Sequence, residues 1–123
     1  MISAEQITGL ILAGGRAQRM GGIDKGLIPF LQKPLIESTI GRLKTQVGPI
    51  IINANRNITK YAAYGYPVLM DETPDFSGPL AGFLVGLKAC RTPYLLTSPC
   101  DSPLLPKDLA ARLAQELERG DFQ

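Results

Sequence analysis

Glycines and basic side chains follow one another closely near the start of the sequence. Gly14 and Gly15 come directly after an apolar run that begins at Ile7, and Arg19 and Lys25 follow. Glycine lets the backbone take a positive φ and brings N–H groups close to a ligand. Such N–H groups, with guanidinium and ammonium groups beside them, bind phosphate oxygens. The stretch therefore predicts a phosphate-binding loop, although a glycine pair after a strand can equally form an ordinary tight turn.

Asp101 is the carboxylate that the sequence singles out for metal chemistry. It follows an apolar run, and Pro99 and Pro103 restrict the backbone on either side of it. Mg²⁺ binds one or two protein carboxylates together with phosphate oxygens and water, so one aspartate beside a phosphate site is adequate. An aspartate at this position can also cap a helix that starts at Pro106, and spacing alone does not separate the two roles.

Composition excludes several kinds of chemistry and of partner. The 123 residues contain no histidine, which excludes Ser-His-Asp and Cys-His catalysis and histidine metal ligands. A net charge of +2, from 13 basic and 11 acidic residues, is too balanced to indicate a nucleic-acid surface. Cys90 and Cys100 lack the spacing of a metal site and are predicted to be buried thiols. Without a membrane-length apolar stretch or a signal-peptide profile before Ile7, the sequence predicts a cytoplasmic protein with no membrane partner.

Apolar runs and helical patterns alternate four times along the chain. The predicted strands begin at Ile7 and cover 50–53, 67–71 and 94–97, and the predicted helices cover 34–47, 58–64, 79–89 and 106–120. The run 27–31 is predicted to be an edge strand at best, because it contains Pro29. With no hairpin pattern between these elements, the alternation predicts a parallel sheet flanked by helices.

Three further expectations concern packing and the edge of that sheet. On the helix 79–89, an apolar stripe predicts core side chains, namely Leu80, Phe83, Leu84 and Leu87. Three neighbouring tyrosines are expected to pack with their hydroxyls at the surface, namely Tyr61, Tyr64 and Tyr66. Ligands of parallel sheets bind beyond the carboxyl ends of the strands. Those ends bring polar or glycine residues to one edge, namely Ala13 to Gly15, Asn53, Asp71 and Thr97 to Asp101.

The loop as a whole resembles the signature of the nucleotidyltransferases that activate sugar phosphates and related compounds. That signature reads Leu12-Ala13-Gly14-Gly15-x-x-x-Arg19-Met20-Gly21-x-x-Asp24-Lys25 in this sequence. Together with Pro99-Cys100-Asp101-Ser102-Pro103 and Gly78-Pro79-Leu80-Ala81-Gly82, it is most similar to the molybdenum cofactor guanylyltransferase family. The resemblance covers Ile7 to Leu117. It implies a three-layer α/β/α, Rossmann-like fold with a mainly parallel sheet of the nucleotide-diphospho-sugar transferase type.

The resemblance also implies an activity and a set of site residues. The expected reaction transfers GMP from Mg-GTP to the molybdopterin cofactor and releases pyrophosphate. The catalytic residues carried over are Arg19, Lys25 and Asp101, of which Asp101 holds Mg²⁺. The nucleotide-binding residues carried over are Leu12, Ala13, Gly14, Gly15, Lys25, Asn53, Asp71 and Asp101. The residues carried over to the acceptor cleft are Gly22, Gly78 and Gly82.

Alternatives to this interpretation remain open from the residues alone. A strand-end Asn53 or Asp71 is often only a turn residue. A cytidylyltransferase of the same pathway or a sugar-1-phosphate nucleotidyltransferase would share the loop and the strand-end aspartate. Because the family extends past residue 123, we expect residues 1–123 to be one GTP-binding nucleotidyltransferase domain that is incomplete at its C-terminus. It could then be a non-catalytic nucleotide-binding fragment. Expected partners besides GTP and the molybdenum cofactor are other cofactor-biosynthesis proteins and molybdoenzyme chaperones.

Overall fold

Apolar runs in the sequence form one four-stranded parallel sheet. The computed structural model describes residues 1–13, 24–72 and 79–120. Its strands are β1 (Ile7–Leu12), β2 (Pro29–Phe30), β3 (Lys33–Pro34), β4 (Ile50–Asn53), β5 (Val68–Leu69) and β6 (Tyr94–Pro99). Its α-helices are α1 (Leu35–Leu43), α2 (Ile58–Ala62), α3 (Pro79–Ala89) and α4 (Leu109–Glu118), with short 3₁₀ helices at Ala4–Gln6 and Lys25–Leu27.

The most buried strand lies in the middle of the sheet. β1 pairs in parallel with β4 on one side and with β6 on the other, and β5 pairs with β4. The strand order is therefore β5-β4-β1-β6. Leu10 and Ile11 of β1 are completely buried, as expected of a strand covered on both faces.

Helices cover both faces of the sheet, and two glycines show how closely they approach it. A methyl group on Gly9 of β1 would lie 2.9 Å from the Leu43 side chain of α1. On the opposite face, a methyl group on Gly86 of α3 would overlap the side chain of Leu10. The predicted α/β architecture with three layers is confirmed. None of the helices in the described ranges has both the length and the apolar character needed to cross a bilayer.

The packing of α3 differs from the prediction. Leu80, Leu84 and Leu87 are 53%, 37% and 58% exposed, so the expectation that they belong to the core is wrong. The buried side of this helix consists of small residues, namely Ala81, Gly82, Val85 and Gly86. Because the helix backbone comes so close to the sheet, there is no room for leucine side chains between them.

A second difference is a small antiparallel hairpin that the sequence does not predict. β2 and β3 pair through Phe30 and Lys33, and the connecting residues Leu31 and Gln32 have φ values of 51° and 71°. Two residues with positive φ form the tight turn typical of two-residue hairpins, a turn that usually contains glycine or asparagine. Since neither occurs here, the sequence carries no hairpin signal. Pro34 belongs to β3, and α1 begins one residue later than predicted.

Element ends also differ by a few residues from the prediction. Helix α1 ends at Leu43 rather than at Val47, and α4 begins at Leu109 rather than at Pro106. Strand β6 continues to Pro99, two residues beyond the predicted end. The predicted bounds of α3 are confirmed.

Candidate functional site

The four parallel strands end level with one another. Leu12 is paired with Asn53 of β4 on one side and with Pro99 of β6 on the other, and Asn53 is paired with Leu69 of β5. Backbone hydrogen bonds continue past this row, because the Ala13 N–H donates to Asn53 O at 2.8 Å. The row and the residues that directly follow it form what we call the carboxyl edge of the sheet. The prediction that the strand ends share one edge is confirmed.

Asn53, Asn55 and Asp71 form a hydrogen-bonded group at this edge, which we call the Asp71 cluster. The Asn53 side chain is buried, and its Nδ2 donates to Asp71 Oδ1 at 2.8 Å and to the Leu69 carbonyl at 3.1 Å. Asn55 Nδ2 donates to Asp71 Oδ2 at 3.0 Å, and Asn55 Oδ1 accepts from the Asp71 N–H at 2.8 Å. Both oxygens of the half-buried Asp71 carboxylate are thus held in a defined plane.

Asn55 is a member of the site that the sequence reasoning did not select. Its relation to Asn53 was nevertheless visible as Asn-Ala-Asn at the end of a buried strand. In extended chain, residues two apart point to the same side, and that spacing is a signal for a shared partner.

Gly82 of α3 lies against the same cluster. It is buried, and a methyl group on it would overlap Asn53 Oδ1 and lie 2.8 Å from Leu12 Cδ2. A glycine is therefore required for the first turn of α3 to approach the strand ends. Of the predicted residues, Leu12, Asn53 and Gly82 are in contact.

Lys25 begins a 3₁₀ helix, Lys25–Leu27, which we call the lysine turn. Lys25 itself is exposed, whereas Asp24 just before it is only 9% exposed. Asp24 Oδ1 accepts from the Gly26 N–H at 3.3 Å and from Tyr61 Oη at 2.5 Å, while Oδ2 accepts from Asn57 Nδ2 at 3.1 Å. The exposed Lys25 thus directly follows a residue whose carboxylate is buried and hydrogen-bonded within the protein.

Tyr61 corrects another expectation. Its side chain is completely buried and its hydroxyl donates to Asp24, so the prediction of a hydroxyl at the surface is wrong for this tyrosine. Burial raises the pKa of the Tyr61 hydroxyl well above its usual value, and the Asp24 carboxylate raises it further. The phenol therefore remains a hydrogen-bond donor at any physiological pH. The partner lies 37 positions away along the chain, too far for a sequence pattern to indicate it.

Asp101 follows β6 and is held in place by buried neighbours. Its own side chain is exposed and, within the part of the chain that the structure describes, makes no hydrogen bond or ion pair. The backbone on both sides of it is fixed on α1, because Thr39 Oγ1 donates to the Cys100 carbonyl at 3.0 Å and accepts from the Ser102 N–H at 3.0 Å. The carboxylate is thereby positioned at the carboxyl edge while its oxygens stay open.

Cys100, which directly precedes Asp101, contacts the lysine turn. A methyl group on Gly26 would lie 3.3 Å from Cys100 Cβ, so the two segments are in contact. Burial raises the pKa of the Cys100 thiol to about 12, and the nearby carboxylates of Asp101 and Asp24 contribute, while Lys25 opposes them. Neither Cys100 nor the half-buried Cys90 is in a disulfide.

Several predicted site residues lie outside the described ranges. These are Gly14, Gly15, Arg19, Gly22 and Gly78. Their assigned roles stay predictions. Among the residues that the structure does describe, the Asp71 cluster lies at the ends of β4 and β5. Asp101 follows β6, and its neighbour Cys100 contacts Gly26 of the lysine turn.

A parallel sheet with helices on both faces defines the class of doubly wound α/β proteins, whose ligands bind beyond the carboxyl ends of the strands. Comparison with known proteins narrows this class. Residues 9–123 match the family described as MobA-like NTP transferase domain. The chain belongs to that family.

Similar curated proteins carry a consistent name. The chain is 86% identical over 122 residues to a molybdenum cofactor guanylyltransferase of Polynucleobacter asymbioticus, and this match covers 99% of the chain and 61% of that protein. It is 57% identical over 121 residues to the molybdenum cofactor guanylyltransferase of Ralstonia pickettii, covering 98% of the chain and 59% of that protein. The chain thus spans about three fifths of the length of these relatives.

Solved structures of lower identity share the fold. Molybdopterin-guanine dinucleotide biosynthesis protein A from Archaeoglobus fulgidus superimposes with a TM-score of 0.68 at 18% identity, over 93% of this chain and 57% of that one. A CMP:2-keto-3-deoxy-manno-octonic acid synthetase complexed with CTP gives a TM-score of 0.75 at 17% identity, over 96% of this chain and 50% of that one. The predicted nucleotide-diphospho-sugar transferase type of fold is confirmed.

Proposed function

We propose that a protein of the relatives' full length carrying this chain is a molybdenum cofactor guanylyltransferase. It transfers GMP from Mg-GTP to the phosphate of the molybdopterin cofactor and releases pyrophosphate. The observation that carries this proposal is the presence of two kinds of polar group: a fixed amide–carboxylate cluster at the sheet edge, and an exposed lysine and an exposed aspartate on segments that are in contact through Gly26 and Cys100. The names of the relatives support the same reaction.

The Asp71 cluster is assigned to the guanine base. Each carboxylate oxygen of Asp71 accepts one amide hydrogen from Asn53 or Asn55 and retains capacity for another donor. Guanine offers a ring N–H and an exocyclic amine side by side, which match two adjacent carboxylate oxygens. Cytosine and adenine present a ring acceptor where guanine presents a ring donor. A carboxylate in this fixed orientation therefore favours GTP.

The other side of the edge is assigned to the triphosphate. The transferred nucleotidyl group needs in-line positioning and compensation of phosphate charge, with little covalent help from the protein. Lys25 supplies a positive charge from a turn that is held by buried groups. The predicted contributions of Arg19 and of the amides of Gly14 and Gly15 add to it. The attacking acceptor phosphate is already anionic, so no side chain has to remove a proton, consistent with a chain that has no histidine.

Asp101 is assigned to Mg²⁺. Its exposed oxygens make no hydrogen bond or ion pair within the described part of the chain, and a hard cation prefers such oxygen ligands. No group of three carboxylate or thiol ligands occurs among the described residues, so one carboxylate, phosphate oxygens and water would complete the coordination. When bound, the ion neutralises charge on the triphosphate. The residues present fit this role.

The acceptor side of the proposal rests on fewer contacts. Gly82 touches Asn53, and the resemblance assigns Gly22, Gly78 and Gly82 to the acceptor cleft.

We also propose partners beyond the two substrates, namely other cofactor-biosynthesis proteins and molybdoenzyme chaperones, and a cytoplasmic location. Fractionation of cells that express the protein checks the location, and pull-down with the purified protein checks the partners.

We further propose that residues 1–123 are one nucleotide-binding domain that transfers GMP poorly by itself. β6 is the outermost strand of the sheet, and beside it lies a groove of about 370 Å³ lined by apolar side chains that include Tyr94, Leu96, Leu113 and Leu117. Together with the greater length of the relatives, this open apolar surface indicates that more chain is needed for activity. Measurable turnover by the purified 123-residue chain would refute the proposal.

The decisive experiment measures pyrophosphate release and dinucleotide formation by the longer protein. GTP, CTP, UTP and ATP are each supplied with Mg²⁺ and the molybdopterin cofactor. The proposal expects product with GTP and little with the other three. Preferred use of CTP or UTP would instead indicate one of the related nucleotidyltransferases, and the guanylyl assignment would then be wrong.

A further inference from the structure

We infer that Asp24 is a positioning residue for Lys25, acting with Asn57 and Tyr61. We call this buried group, together with the Gly26 N–H, the Asp24 clamp. The inference rests on the proposed function, because it gives Lys25 its place beside the triphosphate. It assigns a role to side chains that the resemblance leaves without one.

The clamp holds both oxygens of the Asp24 carboxylate from inside the protein. Three donors converge on it: the Gly26 N–H at 3.3 Å, Asn57 Nδ2 at 3.1 Å and Tyr61 Oη at 2.5 Å. Asp24 is 9% exposed and Tyr61 is completely buried. With 9% exposure and three protein donors, this carboxylate is a poorer metal ligand than the exposed Asp101, whose side chain makes no hydrogen bond within the described part of the chain. The negative charge of Asp24 is instead used to hold the backbone that carries the neighbouring lysine.

Asn57 adds a backbone constraint to the clamp. It precedes α2 with a φ of 55°, in the left-handed region that asparagine tolerates better than most residues. This conformation places a residue with a donor side chain at the start of the helix whose buried face carries Tyr61. Helix α2 and the residue directly before it therefore present both side-chain donors to Asp24.

The clamp restrains the lysine turn on both sides of Lys25. On one side Asp24 is fixed by its three donors, and on the other the Leu27 N–H donates to the Asp24 carbonyl at 3.0 Å. Gly26 fits between Tyr61 and Cys100, because a methyl group on it would lie 2.6 Å from Tyr61 Oη and 3.3 Å from Cys100 Cβ. Since Cys100 directly precedes Asp101, the clamp sets the lysine in a fixed relation to that carboxylate.

Removing the Tyr61 hydroxyl should make the lysine turn more mobile while the protein stays folded. In Tyr61→Phe the aromatic ring still fills its buried space, but the Asp24 carboxylate loses its shortest hydrogen bond. A buried charged group that loses a partner moves toward water or draws water in. Asp24 is bonded directly to Lys25, so the lysine backbone moves with it. Displacements of about 1 Å can cost about 10²-fold in rate.

The test is a double-mutant cycle in the longer protein between Tyr61→Phe and Lys25→Ala, with kcat and the KM for GTP as readouts. We expect Tyr61→Phe alone to lower kcat about 10-fold or more, with a smaller change in KM. In the Lys25→Ala background the same change should have almost no further effect, because there is no lysine left to position. Tyr64→Phe, close by on the same segment but outside the clamp, is the control and should match the parent protein.

An equal loss from Tyr61→Phe in both backgrounds would overturn the inference, since the tyrosine would then act independently of Lys25. A second measurement does not depend on transfer. Amide hydrogen exchange of the 123-residue chain should be faster at Gly26 and Leu27 in Tyr61→Phe, and unchanged at Ile51 and Ile52 of β4. If the parent protein forms no product, the proposed function fails while this measurement still decides the clamp. Unchanged exchange at Gly26 and Leu27 would overturn it.

Discussion

The two polar groups at the carboxyl edge are built in opposite ways. In the Asp71 cluster the carboxylate that we assign to the base is itself half-buried and hydrogen-bonded through both oxygens. On the other side, Lys25 and Asp101 are exposed, and the buried hydrogen bonds belong to their neighbours Asp24 and Thr39. Directional recognition of a base requires acceptors in a fixed plane, whereas compensation of phosphate charge requires open charges on a stable backbone. The Asp71 cluster provides the fixed acceptors that the proposed base recognition requires. Lys25 and Asp101 provide the open charges that the proposed phosphate binding requires.

The largest expected effect comes from the exposed carboxylate. We expect Asp101→Ala in the longer protein to lower Mg²⁺-dependent transfer by about 10³-fold, the upper range for loss of one preorganised electrostatic group. The fold should persist, because the side chain makes no hydrogen bond or ion pair with any residue that the structure describes. Transfer is measured at saturating Mg²⁺, with Asp108→Ala as the control, since that aspartate is exposed and forms a surface ion pair with Arg112. Full activity of Asp101→Ala would end the metal assignment.

The next effect concerns the charge on the lysine turn. Lys25→Ala should lower the transfer rate by about 10²-fold, because a fixed positive charge beside the triphosphate is lost. Lys33→Ala, which removes an equally exposed lysine from β3, should have no such effect. The steady-state rates of both variants give the comparison. A loss of less than a few-fold in Lys25→Ala would mean that this lysine is an ordinary solvated side chain.

A smaller and more selective effect is expected in the Asp71 cluster. Asp71→Asn keeps the shape but replaces one acceptor oxygen by a donor, so guanine loses a charged hydrogen bond worth about 1.5–3 kcal/mol. GTP binding should weaken by roughly 10-fold or more, while binding of ATP should hardly change. Calorimetric titration of the parent protein and of Asp71→Asn with GTP and with ATP gives the dissociation constants. Equal weakening for GTP and ATP would show that the cluster does not read the base.

The smallest expected effect is on stability and distinguishes a glycine of α3 that packs against the strand ends from a glycine of α1 that faces open space. Gly82→Ala places a methyl group against Asn53 and should lower the free energy of unfolding by about 1–3 kcal/mol, as overpacking typically does. Gly41→Ala on α1 has nothing within 4 Å of the added methyl group and should be stabilising by about 0.5–1 kcal/mol. Chemical denaturation of the parent protein and of both variants gives the change in the free energy of unfolding for each substitution. Equal stability of the two would show that α3 does not pack as closely as described.

Whether a feature of the fold or the site was predictable from the sequence depends on how far apart in the chain its interacting residues lie. The parallel sheet and the shared carboxyl edge were predictable, because apolar runs and helical periodicity are local patterns and parallel strands align their ends. Asn53 and Asp71 were predictable as edge residues for the same reason. The Asn-Ala-Asn spacing indicates a shared partner for Asn53 and Asn55, but that this partner is Asp71 depends on where two loops meet in space.

The wrong predictions have a common physical cause. The stripe of leucines on α3 is a correct helical pattern, but periodicity does not show which side faces the sheet, and the close contact between Gly86 and Leu10 selects the small residues. The Tyr61 hydroxyl was expected at the surface because tyrosine is usually amphipathic, and the buried Asp24 that accepts its hydrogen bond explains why it is buried. In both cases the deciding partner lies far away in sequence.

The central claim is that the nucleotide-binding residues all lie within this chain and favour guanine. It is tested most directly by the thermal unfolding midpoint of the 123-residue chain with Mg²⁺ and each of GTP, CTP, UTP and ATP. A ligand that binds only the native state must raise the midpoint. The account predicts a clear rise with GTP and little change with the other three nucleotides. No rise with GTP, or equal rises with all four, would contradict it.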